Sequence, residues 1–153
     1  MDSNSLKSFL ALSYDELRAL NLKARELRDP NAAEQTQIAA LKKEQKIKAV
    51  MVCFCDIEGR LHVLDYDKNF LLKSLDNLTF DGSSIRGFSE LNESDLRLVI
   101  DWTSLTYLPA DVFGPGKIAI FANIANRDLS LYASDFRGRL QAYAAELKDT
   151  KGL

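Results

Sequence analysis

The sequence has few of the cysteine and histidine residues from which most zinc sites are built. Its only cysteines are Cys53 and Cys55, and its only histidine is His62. A zinc site needs about four such ligands, so zinc is not expected and no metal-binding residue is predicted. The two cysteines occupy alternate positions of an apolar segment, which places them on one face of a strand. We expect them to be buried free thiols.

The sequence also lacks long apolar segments and an excess of either charge. No apolar run approaches the roughly 18 residues that cross a bilayer, and no basic segment followed by an apolar one opens the chain. The net charge is -2, and no arginine or lysine cluster is interleaved with aromatic residues. We therefore expect a soluble cytoplasmic protein that binds neither membrane nor nucleic acid.

What is present is typical of a globular protein. Hydrophobic residues make up 46% of the chain and charged residues 27%, both ordinary values. A length of 153 residues suits one domain with a sizeable core and room for a small appendage. Composition and length therefore do not indicate a function, and any functional signal lies in local motifs.

The first part of the chain is predicted to be helical. Ser13 and Glu16 have the spacing of a capping box, which starts a helix reaching to about residue 28. Asp29 and Pro30 begin a weaker helix that reaches to about residue 45. A short helical turn is expected around three apolar residues, Leu6, Phe9 and Leu10. Each helix has one apolar stripe. It packs either on the body of the domain or on another subunit, and a regulatory role stays open.

From residue 47 onward the pattern becomes extended. Residues 47–55 are apolar on both faces, as in a central strand, and residues 60–66 return as the partner of a hairpin. Residues 67–77 are predicted to be irregular. Two further strands are predicted at residues 96–101 and 117–123.

A final helix is predicted from about residue 134 to 148, with Ser134 or Asp135 as its cap. Four apolar residues share one face of this helix: Phe136, Leu140, Tyr143 and Leu147. Strands in sequence followed by a helix, with helices in front, indicate an α+β domain.

One polar segment stands out from this framework. It runs Phe80-Asp81-Gly82-Ser83-Ser84-Ile85-Arg86-Gly87-Phe88, and Asn92-Glu93-Ser94-Asp95 follows it. Aspartate and glycine form a turn, since glycine accepts positive φ at no steric cost. One interpretation is a solvated loop whose Ser and Asp side chains bond the local backbone. The other is a binding or catalytic loop.

The order of residues in these two stretches resembles the N-terminal domain of bacterial-type glutamine synthetases. The resemblance extends from about residue 47 to the end of the chain. It implies a β-grasp-like mixed sheet with one packed C-terminal helix, preceded by a helical extension. The implied division is an extension at residues 1–46 and a β-grasp domain at residues 47–153, with the family's catalytic domain absent from this chain.

The family joins ammonia to glutamate, using ATP to form an acyl phosphate that ammonia attacks. The resemblance implies that ATP and Mg or Mn are held by the catalytic domain, so no cofactor is expected in this chain and the isolated chain is expected to be inactive. The sequence agrees, since it has no glycine-rich phosphate loop. The implied partners are the catalytic domains of its own chain and of a neighbouring subunit in a homo-oligomer.

The resemblance also implies roles for single residues. Asp81 matches the aspartate that helps form the ammonium site and assists deprotonation, and Ser84 matches a hydroxyl of the same loop; both are predicted to be catalytic. Asp95 matches a further carboxylate and is predicted to bind substrate. Four residues are predicted to shape the loop, namely Gly82, Ser83, Gly87 and Phe88.

Two departures from the family pattern leave alternatives open. An Asp-Pro-Ser-Thr run common in the family is replaced by Asp101-Trp102-Thr103-Ser104, and Asp-Pro-Arg is replaced by Asp135-Phe136-Arg137. The parent enzyme is therefore either a glutamine synthetase or a related ligase joining glutamate to another amine. A standalone β-grasp module that binds or regulates a partner is the third possibility.

Overall fold

The computed structural model describes residues 12–85, 88 and 95–152. Gly87, the Asn92-Glu93-Ser94 motif and the turn expected at residues 6–10 lie outside the described residues. The described chain divides into two compact units that interleave along the sequence. The first contains the described residues up to Cys53 together with residues 63–75 and 100–121. The second contains residues 54–62, 76–85, 88, 95–99 and 122–152.

Five strands form one mixed sheet. They are β1 (Ala49–Cys55), β2 (Leu61–Asp67), β3 (Thr79–Asp81), β4 (Asp95–Tyr107) and β5 (Lys117–Ala125), in the order β2-β1-β5-β4-β3. β1 runs parallel to β5, with Val50 beside Ile118, whereas β3 and β4 are antiparallel. The α+β class and the central position of β1 are confirmed.

The helices are α1 (Tyr14–Arg25), α2 (Pro30–Lys43), α3 (Lys68–Lys73), α4 (Ala110–Phe113) and α5 (Phe136–Lys151). The prediction that residues 67–77 are irregular was wrong, because Asp67 caps α3 by accepting from the N–H groups of Asn69 and Phe70. A 3-10 turn at Leu75–Asn77 follows α3. None of the described helices combines the length and the apolar character needed to cross a bilayer.

The two N-terminal helices belong to the first unit. The predicted capping box is present, since the Glu16 N–H donates to Ser13 Oγ and the Ser13 N–H donates to Glu16 Oε2. Asn21 holds α1 against the end of β4, because its amide both donates to and accepts from the backbone of Tyr107, at 3.0 and 2.7 Å. Helix α1 therefore packs on the rest of the first unit, which is one of the two predicted arrangements.

Each unit has its own core. In the first, Leu17 of α1 and Leu41 of α2 are buried, as are Val50, Val52 and Ile118 of the sheet. The second buries Phe54, Leu96, Leu98 and Ile124. Cys53 is buried and Cys55 half-buried, and both are free thiols, close to the prediction.

Helix α5 is attached to the second unit mainly through its N-terminus. Asp135 caps it and accepts from the Gly138 N–H, and Arg137 donates to Asn123 Oδ1 at 2.5 Å. The predicted apolar face is not buried against the described residues, since Phe136, Leu140 and Tyr143 are each more than half exposed. The helix is therefore placed as predicted, while its apolar stripe faces outward.

Candidate functional site

The acidic loop begins where β3 ends. Asp81 is the last residue of β3 and caps a 3-10 turn, Gly82–Ser84, by accepting from the Ser83 N–H at 2.9 Å. Strand alternation turns Phe80 inward and leaves Asp81 exposed on the opposite face. Gly82 is buried. The predicted turn at Asp81 and Gly82 is present, but Gly82 is not among the described glycines with positive φ. The chain bends through a right-handed 3-10 turn instead.

The Asp81 carboxylate is held by the two serines that follow it. The hydroxyl of Ser83 donates to Oδ1 at 2.6 Å, and the hydroxyl of Ser84 donates to Oδ2 at 2.8 Å. These hydrogen bonds, that of Ser83 first and that of Ser84 second, lower the pKa of Asp81. Donors to the ionised form favour that form, so the loop presents a fixed negative charge to solvent.

A row of aromatic rings supports the loop from the inner face. The Phe80 ring lies 4.8 Å from that of Phe54 and 6.4 Å from that of Phe88, while Phe88 meets Tyr132 edge to face at 5.7 Å. The Tyr132 hydroxyl donates to the main-chain oxygen of Phe88. Phe88 is buried, and the backbone that carries Asp81 rests on packed rings.

The second predicted carboxylate lies directly across the strand pair. Asp81 pairs with Asp95, Phe80 with Leu96, and Thr79 with Arg97. Residues directly opposite in an antiparallel pair share a face, so Asp81 and Asp95 emerge on the same exposed side with Cβ atoms about 5 Å apart. Two carboxylates at this spacing create a local field that attracts a small cation.

The structure thus brings together four predicted residues, Asp81, Ser83, Ser84 and Asp95. Sequence reasoning missed Phe54, Tyr132 and Arg97. Arg97 lies two residues beyond Asp95 on the same face, and its Nη1 donates to the main-chain oxygen of Asp76 at 2.9 Å. The alternation of charged and apolar residues from Asp95 to Leu98 was the signal that could have placed Arg97 beside the acidic pair.

The described residues do not form a site for a resident metal. Among them, no group of three histidine, cysteine, aspartate or glutamate side chains is arranged to hold a metal ion. The acidic pair alone supplies fewer ligands than Mg²⁺ or Mn²⁺ requires.

Comparison with known proteins gives this loop a family context. The family model described as "Glutamine synthetase, beta-Grasp domain" matches residues 46–127. A glutamine synthetase of Staphylococcus aureus is 32% identical over 108 residues, which is 69% of this chain and 24% of that protein. One of Mycobacterium bovis is 43% identical over 63 residues, covering 40% of this chain and 13% of that protein.

Solved structures agree at the level of the fold. A Plasmodium falciparum glutamine synthetase matches 75% of this chain and 22% of its own, with a TM-score of 0.66 and 20% identity. A GmaS complex with ADP matches 73% of this chain and 25% of its own, with a TM-score of 0.64 and 18% identity. The chain spans about a quarter of the length of the Staphylococcus aureus relative. Since the family model covers more than half of its residues, the chain belongs to the glutamine synthetase β-grasp domain family.

Proposed function

We propose that this chain is the N-terminal domain of a glutamine synthetase and supplies its acidic loop to the active site of a neighbouring subunit. The reaction is the ATP-dependent joining of ammonia to glutamate. The observation that carries the proposal is the exposed, ionised carboxylate of Asp81, held by Ser83 and Ser84 and placed opposite Asp95.

The geometry favours binding of ammonium over removal of its proton. A lowered pKa makes Asp81 a weak base but keeps it charged, which suits attraction of NH₄⁺. The opposing carboxylate of Asp95 adds to the same field. Asp81 becomes a better proton acceptor only when a partner surface covers the loop, because loss of solvent raises the pKa of a carboxylate.

The remaining parts of the reaction are assigned to a catalytic domain. As the family resemblance implies, ATP and Mg or Mn would be held by that domain. The loop then needs a second protomer, which makes the active protein a homo-oligomer. The isolated chain is expected to be inactive, and the cytoplasmic location remains a prediction.

The proposal is tested by Asp81→Asn in the polypeptide that carries this domain together with its catalytic domain. We expect glutamine formation to fall about 100-fold or more, since the substitution removes the charge and proton acceptor while keeping the shape. Asp128→Asn is the matched control, because Asp128 is also exposed and also accepts from a serine hydroxyl, that of Ser130 at 2.6 Å. Its turnover should match that of the unmodified enzyme.

Light scattering distinguishes lost chemistry from lost assembly. Both variants should keep the oligomer mass of the parent, because Asp81 and Asp128 are both exposed in this domain. Equal turnover of Asp81→Asn and Asp128→Asn would remove the loop from the reaction. A reading frame that does not continue into a catalytic domain would favour a standalone binding module instead.

A further inference from the structure

Tyr132 lies between β5 and α5, in a segment that is attached to the core of the second unit. Its N–H donates to the main-chain oxygen of Ile124 at 3.1 Å, and its own main-chain oxygen accepts from the Asp135 N–H at 3.0 Å. The Asp135 carboxylate in turn accepts from the Ile124 N–H at 2.9 Å. Ile124 and Asp135 are both almost fully buried. The backbone of Tyr132 is therefore held on both sides by a buried part of the unit.

The side chain of Tyr132 extends from this anchor to the acidic loop. Its ring meets the ring of Phe88 edge to face at 5.7 Å, and its hydroxyl donates to the main-chain oxygen of Phe88. Phe88 is buried, and its ring lies 6.4 Å from that of Phe80. A main-chain oxygen that loses its donor away from water costs free energy, so the Tyr132 hydroxyl favours one position of Phe88.

Two main-chain hydrogen bonds connect Phe88 with the turn that Asp81 caps. The Phe88 N–H donates to the Ile85 oxygen, and the Ile85 N–H donates to the Gly82 oxygen, each at 3.1 Å. Gly82 directly follows Asp81 and opens the 3-10 turn. The position of Phe88 is therefore coupled through hydrogen bonds to that of the Asp81 carboxylate.

The acidic loop is thus attached on both sides of Asp81. Before Asp81, Phe80 lies opposite Leu96 in the strand pair, and its ring lies 4.8 Å from that of Phe54. After Asp81, the attachment is the hydrogen bond from Tyr132 to Phe88. A reacting group that is fixed before the substrate arrives avoids the entropic cost of being ordered during the reaction.

We propose that Tyr132 is a positioning residue of the ligase reaction, whose hydroxyl holds the loop at Phe88 so that the Asp81 carboxylate is aimed at ammonium. This inference rests on the proposed function. Tyr132 acts through Asp81 and does not itself contact ammonium or the reacting atoms.

The kinetic test is Tyr132→Phe in the polypeptide that also carries the catalytic domain. The variant keeps the ring and loses the hydroxyl, so we expect the KM for ammonium to rise about tenfold. The KM for ATP should stay unchanged, since ATP would be held by the catalytic domain. Tyr14→Phe is the matched control, because the Tyr14 hydroxyl also donates one hydrogen bond, to Asp111 at 2.9 Å. It should leave both constants unchanged.

Two kinetic outcomes would contradict the proposal. Equal constants in Tyr132→Phe and Tyr14→Phe would mean that the Tyr132 hydroxyl has no part in the reaction. A fall in kcat with both KM values unchanged would mean that less of the enzyme is folded, which is a role in stability alone.

A double variant tests whether Tyr132 acts through Asp81. Tyr132→Phe should cause no further loss of kcat/KM for ammonium in Asp81→Asn, because the group that it positions is already gone. Losses that multiply would mean independent roles and overturn the proposal. Unchanged turnover of Asp81→Asn would refute the proposed function and this inference with it. Normal kinetics of Tyr132→Phe beside an impaired Asp81→Asn would refute only the role of Tyr132.

A titration of the chain itself shows whether the hydroxyl holds the loop. The hydroxyls of Ser83 and Ser84 lower the pKa of Asp81, so a displaced loop should raise that pKa toward its ordinary value. We expect this rise in Tyr132→Phe, measured by carboxyl ¹³C shifts, and no rise in Tyr14→Phe. Far-UV circular dichroism checks the fold of both variants. An unchanged titration of Asp81, or a Tyr132→Phe chain that does not fold, would overturn the proposal.

Discussion

Asp81 at the end of β3 lies directly opposite Asp95 at the start of β4. Like charges at directly opposed positions of an antiparallel pair destabilise it. Phe80 and Leu96 are paired on the other face, so the register that pairs these two also places Asp81 opposite Asp95. This register places two acidic residues on opposed positions at the surface where function is proposed.

The first prediction follows from that repulsion. Asp95→Asn should raise the thermal unfolding midpoint of the chain by about 1 to 2 °C at low salt, since it removes one of two opposed charges. Asp95→Glu keeps the charge and should give no such rise. In the full-length enzyme Asp95→Asn should lower turnover, so stability and activity change in opposite directions.

Salt provides the control for this prediction. The difference in midpoint between Asp95→Asn and the unmodified chain should shrink at about 1 M salt, where the Debye length is about 3 Å. A difference that is independent of salt would show that something other than charge repulsion stabilises the variant.

The second prediction concerns the titration of Asp81. Its pKa is lowered by the hydroxyls of Ser83 and Ser84, so removal of either hydroxyl should raise the pKa toward its ordinary value. Ser83→Ala should raise it more than Ser84→Ala, because Ser83 is the larger cause. Carboxyl ¹³C shifts followed by NMR measure this directly. Asp128 serves as the internal reference and should titrate identically in all three proteins.

The same shift has a consequence for stability. A carboxylate whose pKa is lower in the folded state stabilises that state above its unfolded pKa, and this contribution is lost as the pH falls through the folded pKa. The acid unfolding of Ser83→Ala should therefore depend less on pH across the acidic range than that of the unmodified chain. An identical acid transition in the two proteins would contradict the role of the hydroxyl.

Capping motifs in the sequence predicted the two helices whose starts are determined by side-chain caps. The capping box at Ser13 and the cap at Asp29 placed α1 and α2 correctly. The extent of β4 could not be predicted, because Asp101-Trp102-Thr103-Ser104 reads as a strand end. The strand continues through it since the Ser104 hydroxyl donates to the Asp101 carbonyl and accepts from the Phe121 N–H, which keeps these polar groups satisfied within the sheet.

The candidate site was predictable in its residues and not in its arrangement. Its acidic residues and serines came from a resemblance carried by residues 80–95, a short continuous stretch. The pairing of β3 with β4 depends on contacts that no sequence period encodes, since β3 is only three residues long. The aromatic row likewise joins Phe54, Phe80, Phe88 and Tyr132 from distant parts of the sequence, so it became visible only in three dimensions.

The third prediction concerns the buried cap of α5. Asp135 is 1% exposed, and its Oδ2 accepts from the N–H groups of both Ile124 and Gly138, at 2.9 and 3.2 Å. Asp135→Ala removes both bonds and should lower the free energy of unfolding by about 2 to 4 kcal/mol. Asp135→Asn keeps one oxygen in place for both donors and should cost much less. Urea unfolding of the two variants measures the difference.

The pH dependence of stability in Asp135→Asn and in the unmodified protein tests whether burial raises the pKa of Asp135. Burial raises the pKa of Asp135, so its contribution to stability is greatest at low pH and is lost as the pH rises through the folded pKa. Asp135→Asn has no such charge, so its free energy of unfolding should rise relative to that of the unmodified protein as the pH rises from about 3 to 7. A constant difference over this range would mean that burial does not raise the pKa of Asp135.

The fourth prediction concerns the junction where the helical extension meets the sheet. Gly116 has φ +73°, and a Cβ there would lie 2.3 Å from the main-chain oxygen of Lys46. Its own carbonyl accepts from the Lys48 N–H at 2.9 Å, so the two segments are held at contact distance. Gly116→Ala therefore combines left-handed strain with a backbone clash that no side-chain movement relieves, and should cost about 2 to 4 kcal/mol.

Gly59→Ala separates these two causes. Gly59 has φ +79° but no atom within 4 Å of the Cβ position, so alanine there meets strain alone and should cost about 1 to 2 kcal/mol. The excess loss at Gly116, measured by urea unfolding of both variants, reports the close approach of the extension to β5. Equal losses would mean that the contact between Lys46 and Gly116 opens at little cost in free energy. The extension would then be held to the rest of the chain chiefly by Asn21 and by the buried residues of α1 and α2.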